Sequence, residues 1–438
     1  MRHGIQESSF NTKCLVLVGA LLVRGMFLWL GPVLLERDTD AYGFLASQLQ
    51  DGLGYAREGG PTAFRPPLYP LMLYVIWHFS EPTLATAVLH LLLGVLTVWF
   101  AWRVACHCGF RQLSLLVAAL VAIDPLLLFH SGRLMTETLF TALLVLWFWV
   151  LITTERRRQN KICDPGHLVI GAIFGLMVLC RPGVVIFLPF VFVGLFVHAH
   201  SSYTLASNGI GLLRDSRLRV AIRSLACPLV VFLGLAAVVS PWVIRNWYVL
   251  GVPVFMTTHG GQTFWRANNN SFYDECVQGD SELWSQSGRE IWEDEMKLMT
   301  TGLTEVDADR ACYRAAWNVV TRRPLQFAKS VRDRVIRFWK IKPRQALKYP
   351  VLGAGIGVFY FFEIVLALVA IMFQRGVWRW PFVLFPLSLL SFTLLHSLYW
   401  SNMRMRTPLM PVIIVLAVVG GFTLLRKFQK GVSQEMFS

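Results

Sequence analysis

The chain has 438 residues, of which 55% are hydrophobic and only 15% are charged, against about 25% charged in soluble domains. With a mean hydropathy of +0.53, this composition excludes an ordinary soluble domain and points to an integral membrane protein. The formal charge of +15 speaks for membrane topology and anionic lipid rather than nucleic acid, because most basic residues sit in short loops between apolar runs.

The first apolar run, Cys14 to Leu35, carries Arg24 inside it and no small-residue cleavage site after it, so it reads as a retained first helix. The runs that follow predict spans at about 83–103, 112–130, 137–153, 167–181, 183–199, 224–242, 351–373, 380–398 and 408–425. With the first at 14–35, that is ten. Basic clusters separate them: Arg156, Arg157, Arg158 and Lys161; Arg214, Arg217, Arg219 and Arg223; Arg375 and Arg379; Arg426, Lys427 and Lys430. One topology places every cluster, and both termini, on the cytoplasmic side. The segment Pro67–Phe79 is too short to cross and is expected as a re-entrant or interfacial helix on the outer side.

The fold expected is therefore an all-α polytopic bundle of about ten transmembrane helices, with interfacial helices and one long loop segment on its outer face. Three parts follow: residues 1–242 as an N-terminal catalytic module that includes the outer loop 36–66, an outer segment 243–350, and the C-terminal helices 351–438. Within the outer segment, Asp274 to Asp309 is mostly acidic, while Arg310 to Lys348 is basic with Asp333 as its one carboxylate. There Phe327, Val331, Val335 and Phe338 recur at helical spacing opposite Lys329, Arg332 and Arg337, which predicts an amphipathic basic helix on the membrane surface or a small packed domain.

Eight cysteines lie at 14, 106, 108, 163, 180, 227, 276 and 312. The pair Cys106-x-Cys108 lacks a second ligand pair at usable spacing. Cys276 and Cys312, both in the outer segment, could pair in an oxidising compartment.

The predicted outer face gathers ionisable residues at helix ends. Asp38 and Asp40 precede Tyr42, Phe44, Leu45 and Leu49, an interfacial helix whose start they could cap; Asp51 and Glu58 read as plain water-facing groups. Glu137 heads a span one turn after Arg133, where an ion pair between the two is one reading and a functional carboxylate the other. Arg181 before Pro182, and Arg404 and Arg406 before Pro408, put further guanidinium groups at the same level, suited to bidentate phosphate binding or to snorkelling.

The ordered set "RDTDAY", "PTAFRPPLYPLML", "IDPLLLFHSGRLMTETLF", "LCRPGVVIFLPF", "SPWVIRNWYVLG" and "SNMRMRTPLMP" resembles the GT-C glycosyltransferases, and more narrowly the bacterial families similar to protein O-mannosyltransferases and to aminoarabinose transferases of lipid A. The likeness runs over nearly the whole chain, which is shorter than those relatives. It implies a catalytic aspartate in the first outer loop, mapping to Asp38 with Asp40 as competitor. It implies lipid-phosphate binding by Arg65, and a second acidic position at Glu137. The expected activity is transfer of a sugar from a polyprenyl-phosphate-linked donor to a lipid, glycan or protein acceptor. In a bacterium this would take place on the periplasmic face of the inner membrane, among membrane lipids and without nucleic acid. Arg65, Arg181, Arg245, Arg404 and Arg406 would hold the phosphate, and Tyr42, Tyr69, Arg133 and Asn246 would line the substrate site. No cofactor is certain; a divalent cation, Mg²⁺ or Mn²⁺, could sit at the carboxylates. The alternative from another class is a polytopic transporter or lipid flippase, which would bury its ionisable residues near the bilayer midplane.

Overall fold

The computed structural model describes residues 10–31, 35–57, 60–108, 111–158, 163–209, 217–279, 284–343 and 349–435. Glu58, Lys161, Arg214 and Lys348 lie outside them. The chain runs α1 (Phe10–Leu30), α2 (Tyr42–Gln50), a two-stranded antiparallel ribbon β1 (Ala56–Arg57) and β2 (Gly60–Pro61), and then α3 (Leu68–Trp77), α4 (Pro82–His107), α5 (Ser114–Ile123), α6 (Pro125–Ser131) and α7 (Glu137–Arg158). It continues through α8 (Gly166–Cys180), α9 (Leu188–Gly209), α10 (Arg217–Ser224) and α11 (Ala226–Leu250). The segment 243–350 holds α12 (Gly260–Ala267), α13 (Asn270–Phe272), α14 (Gln286–Thr300), α15 (Glu305–Arg322) and α16 (Pro324–Phe338). The chain ends in α17 (Pro350–Phe373), α18 (Leu384–Leu398) and α19 (Met410–Glu435).

Seven helical stretches among the described residues are long and apolar enough to cross a membrane: Asn11–Leu30, Pro82–His107, Glu137–Arg158, Pro182–Thr204, Val220–Leu250, Pro350–Phe373 and Met403–Lys427. The pair α5 and α6, bent by 49°, makes an eighth if it counts as one span. The bend has a local cause. Pro125 cannot donate to the preceding turn, and Asp124 starts a new helix by accepting from Leu127 N at 2.8 Å. Two of the ten expected spans, 167–181 and 380–398, correspond to α8 and α18. Each has 15 residues, which is about 22 Å of helix and short of the roughly 30 Å core. Hydropathy counts apolar runs; Pro182 stops α8 early by holding Arg181 extended, at φ −146° and ψ 97°.

α7 forms the centre, with 78% of its most apolar window buried, against 22% for the first span. Trp147, Phe148, Phe174, Phe187 and Phe385 interlock around it. α1, α11 and α17 instead present exposed leucine, valine and aromatic side chains, among them Leu22, Phe232 and Val351, the faces lipid would cover. α8 and α11 approach so closely that a Cβ at Gly171 or Gly234 would strike the carbonyl of Val231 or Leu168, a small-residue seam.

The segment 243–350 has a core of its own, built from Trp265, Phe272, Tyr273, Cys276, Trp284, Trp292, Cys312 and Ala316. Cys276 and Cys312 are buried in it as free thiols rather than a bridge, packing as small apolar side chains. The basic helix α16 is docked on this module and on α18. Its buried line is Ser330, Arg334 and Phe338, not the purely apolar stripe, because Arg334 donates to the carbonyls of Ser397 and Leu398 at 3.0 and 2.8 Å and to Asn268 Oδ1 at 2.7 Å.

Candidate active site

The loop from α1 to α2 is fixed by Asp38, whose Oδ1 accepts from Tyr42 N at 2.9 Å and whose Oδ2 accepts from Phe44 N at 2.8 Å. These bonds satisfy amides that the first turn of a helix leaves open. Ala41 lies between them at φ 59° and ψ 28°, the left-handed region that costs a non-glycine residue about 1–3 kcal/mol. The capped turn holds that strain and turns Asp40 away from its neighbour, into the cleft between α2, the head of α7 and the turn 403–409.

There the charges converge. Arg404 NH2 donates to Asp40 Oδ2 at 2.7 Å, and Arg404 Nε donates to Glu137 Oε1 in a short contact. Arg181, left extended at the end of α8, donates from NH1 to the same Glu137 oxygen at 3.0 Å. Arg65 NH2 lies 3.5 Å from Asp40 Oδ1, and its NH1 is 3.3 Å from His259 Nε2. Two carboxylates are thus bridged by one guanidinium and flanked by two more. Burial works against the Asp40 charge, but Arg404 and Arg65 prevail and hold its carboxyl below the usual range. The cleft is partly open: side-chain exposure is 17% at Arg65, 20% at Asp40 and 24% at Arg404, whereas Glu137 is fully buried. Its second oxygen has no partner among the described residues, nor has His130 Nδ1, and both residues line one small cavity with Thr138 and Thr141.

The remaining candidates divide. Tyr42 packs edge-on against Tyr69 at 5.5 Å and lies 5.5 Å under the Arg65 guanidinium, and burial pushes its hydroxyl up to about 12. The Tyr69 hydroxyl is 2.8 Å from His90 Nε2. Arg133 stacks on Phe129 at 4.3 Å; Glu137 pairs with Arg181 and Arg404 instead of with it. Arg245, Asn246 and Arg406 are not in the cleft. Arg245 donates to the carbonyls of Thr62 and Tyr55 at 2.6 and 2.7 Å, Asn246 to that of Val254 at 2.9 Å, and Arg406 to those of Phe338 and Lys340 at 2.9 and 3.2 Å. In this structure the two guanidinium groups and the Asn246 amide are taken up by backbone carbonyls, so these three expected ligand-binding side chains act as braces here and do not face the cleft.

Three residues escaped the sequence reading. His259 faces Arg65, and burial and then that guanidinium push its pKa down to about 3. Glu305 latches the Arg65 loop by accepting from Ala63 N at 2.8 Å and from Thr62 and Thr258 hydroxyls. His130, near the end of α6, lines the same small cavity as Glu137 at the start of α7. His259 and Glu305 stand at the starts of helices with no recognisable pattern around them; only the folding of residues 243–350 brings both over residues 62–65.

The donor set around Asp40 and Glu137 is cationic, which suits an anionic ligand and does not fit a divalent cation; each carboxylate already faces guanidinium groups. The group of three His, Cys or acidic side chains with ligand atoms close enough to hold an ion, among the described residues, is elsewhere: Cys163, His167 and Cys227.

No protein-family model and no curated protein matches the sequence. Solved structures match in fold. Archaeoglobus fulgidus oligosaccharyltransferase in complex with Zn and sulfate aligns with a TM-score of 0.54 at 15% identity, covering 96% of this chain and 50% of that one. The same protein tethered to an acceptor peptide containing the NVT sequon aligns at 0.51 and 14%, with 96% and 50% covered. ArnT from Cupriavidus metallidurans in the apo state aligns at 0.33 and 15%, over 93% of this chain and 76% of that one, a superposition too loose to carry weight. This chain spans about half the length of the oligosaccharyltransferase. The likeness is one of fold: this chain and the oligosaccharyltransferase share an all-α, multi-helix bundle.

Proposed function

We propose that the chain is a membrane glycosyltransferase that moves a sugar from a polyprenyl-phosphate-linked donor to a lipid, glycan or protein acceptor, at the outer (in a bacterium, periplasmic) face of the membrane. The observation that carries this reading is the Asp40–Arg404–Glu137 bridge, open to the cleft and flanked by Arg65 and Arg181 at the end of a GT-C bundle.

A lipid-linked phosphate brings its charge to the membrane boundary, where Arg65, Arg404 and Arg181 offer planar, charge-assisted donors. As the phosphate takes guanidinium contacts from Asp40, that carboxylate loses the partners that hold its proton affinity down and becomes a better base. The acceptor hydroxyl attacks the anomeric carbon and the carbon–oxygen bond to the phosphate breaks. The hydroxyl proton passes to Asp40, and the lipid phosphate leaves with the electron pair, held by the arginines. Glu137, fully buried, keeps Arg181 and Arg404 oriented. Asp38, with both oxygens on backbone amides, positions the loop. Tyr42, Tyr69 and Arg133 wall the cleft.

The test is transfer from radiolabelled polyprenyl-phosphate sugars to extracted membrane acceptors, with and without EDTA. Label transferred by the wild type and lost in Asp40→Asn supports the reading; no transfer from any such donor overturns it. One observation favours a transporter: Arg24, Asp124 and Glu363 are buried inside the bundle. Uptake of a labelled lipid head group by proteoliposomes, undiminished in Asp40→Asn, would establish that alternative.

A further inference from the structure

α7 carries Glu137 at its first residue and Glu155 eighteen residues later, so about 27 Å of helix separates the cleft from a second polar cluster. This cluster lies at the basic end of the bundle, where α7 ends and α8 and α11 begin. Cys163 precedes α8 and is half-buried, His167 sits in its first turn, and Cys227 is the second residue of α11; the last two are buried. One ligand atom from each lies within 4.8 Å of the other two. The surroundings are as ordered as the cluster. His167 Nε2 is 2.8 Å from Glu155 Oε1, and Trp380 Nε1 donates to Glu155 Oε2 at 2.7 Å. Arg158 NH1 donates to Cys227 Sγ at 3.3 Å. His167 Nδ1 lies beside Asp164, 2.9 Å from its carbonyl oxygen and 3.3 Å from its amide nitrogen. Asp164 Oδ1 itself is taken by Gly166 N at 2.8 Å.

We propose that Cys163, His167 and Cys227 bind a soft divalent cation, zinc by chemistry, that staples the ends of α8 and α11 on the face opposite the active site. Two sulfurs and an imidazole select zinc over magnesium or calcium. Nε2–H directed at the Glu155 carboxylate leaves Nδ1 to ligate once it gives up the Asp164 carbonyl 2.9 Å away, and a carboxylate–histidine pair of this kind orients a metal-bound ring. Arg158 hydrogen-bonds the Cys227 sulfur and favours its thiolate. Binding releases the two thiol protons to solvent, and the cation replaces their charge. Bond lengths of about 2.3 Å to sulfur and about 2.0–2.1 Å to nitrogen require the three atoms to close by on the order of 1 Å, within reach of the loop that carries Cys163. A reducing cytoplasm, which the basic residues of this face predict, would keep both thiols available.

The test uses the untagged full-length protein in detergent, washed with chelator, equilibrated with zinc and desalted, with metal counted by mass spectrometry. The expected result is about one zinc per chain, absent in Cys163→Ser and Cys227→Ser and retained in the Cys106→Ser/Cys108→Ser control. Cobalt in place of zinc should give a thiolate charge-transfer band that Cys227→Ser abolishes. Glu155→Gln, which leaves every ligand in place, should weaken zinc binding about 10–100-fold and guards against a serine variant that fails to fold. The proposal is overturned by a wild type that retains no zinc, by zinc retained in Cys227→Ser, or by a Cys163–Cys227 disulfide in protein prepared without oxidant.

Discussion

Arg404 and Arg406 stand two residues apart in one turn and end in different regions of the molecule. Arg404 enters the cleft and meets two carboxylates; Arg406 enters the seam between the segment 243–350 and the bundle and meets the carbonyls of Phe338 and Lys340. Arg334 and Arg245 share the fate of Arg406, and Arg65 and Arg181 that of Arg404. The difference lies in what each guanidinium can give up. A guanidinium spread over several backbone carbonyls of neighbouring segments ties those segments together, so its arginine is committed to the fold. A carboxylate in an open cleft can yield its arginine to an arriving anion and gain proton affinity as it does so.

The contrast predicts opposite phenotypes, and the largest effect belongs to the cleft. Asp40→Asn should lower turnover by about 10²–10⁴-fold with little change in expression; wild-type transfer by this variant would remove Asp40 from the chemistry. Next, Arg404→Ala and Arg65→Ala should each weaken donor use about ten- to hundred-fold, the loss of one charge-assisted contact of roughly 1.5–3 kcal/mol. Lysine should restore only part, since it lacks the planar fork. The donor concentration dependence of labelled transfer reads this directly. In the seam, Arg406→Ala and Arg334→Ala should instead lower the melting temperature in detergent, each stranding buried carbonyls at about 1–3 kcal/mol, while activity per folded molecule stays near wild type. If Arg406→Ala abolishes transfer without a thermal shift, the division between the two regions fails.

Acidification separates the regions more gently. His259 is held neutral down to about 3, whereas an unfolded histidine takes up a proton near 6.5. Below that value the unfolded state binds the extra proton, so stability falls as pH drops from about 6.5 toward 3 and is fully present above 6.5. His259→Gln should flatten that part of a melting-temperature profile. Asp40 runs the same way at lower pH: its lowered carboxyl adds stability above the ordinary carboxylate range, lost as pH falls through its folded value. The smallest effect should be that of Asp38→Asn, which keeps a capping oxygen; Asp38→Ala should cost about 0.5–2 kcal/mol. A thousandfold loss in Asp38→Asn with normal melting would return the base to Asp38.

Much of this protein is written in its order of residues. Apolar runs and basic loops specify a bundle because a span must satisfy its backbone within itself and positive loops stay on one side. The turn chemistry of Asp38, Asp124-Pro125 and Arg181-Pro182 is local, and so is the placing of Asp40, Arg65, Glu137, Arg181 and Arg404 at helix ends. What distance along the chain could not decide was partnership. Arg404 reaches Asp40 across 364 positions and Glu137 across 267, while Arg406, identical in type and setting, turns to a carbonyl. Arg334 sits where a helical pattern expects an apolar residue, because its hydrogen-bond partners lie on α18. Helix periodicity fixes which face a residue occupies; only the packing of distant helices determines whether that face meets lipid, a carbonyl or a carboxylate.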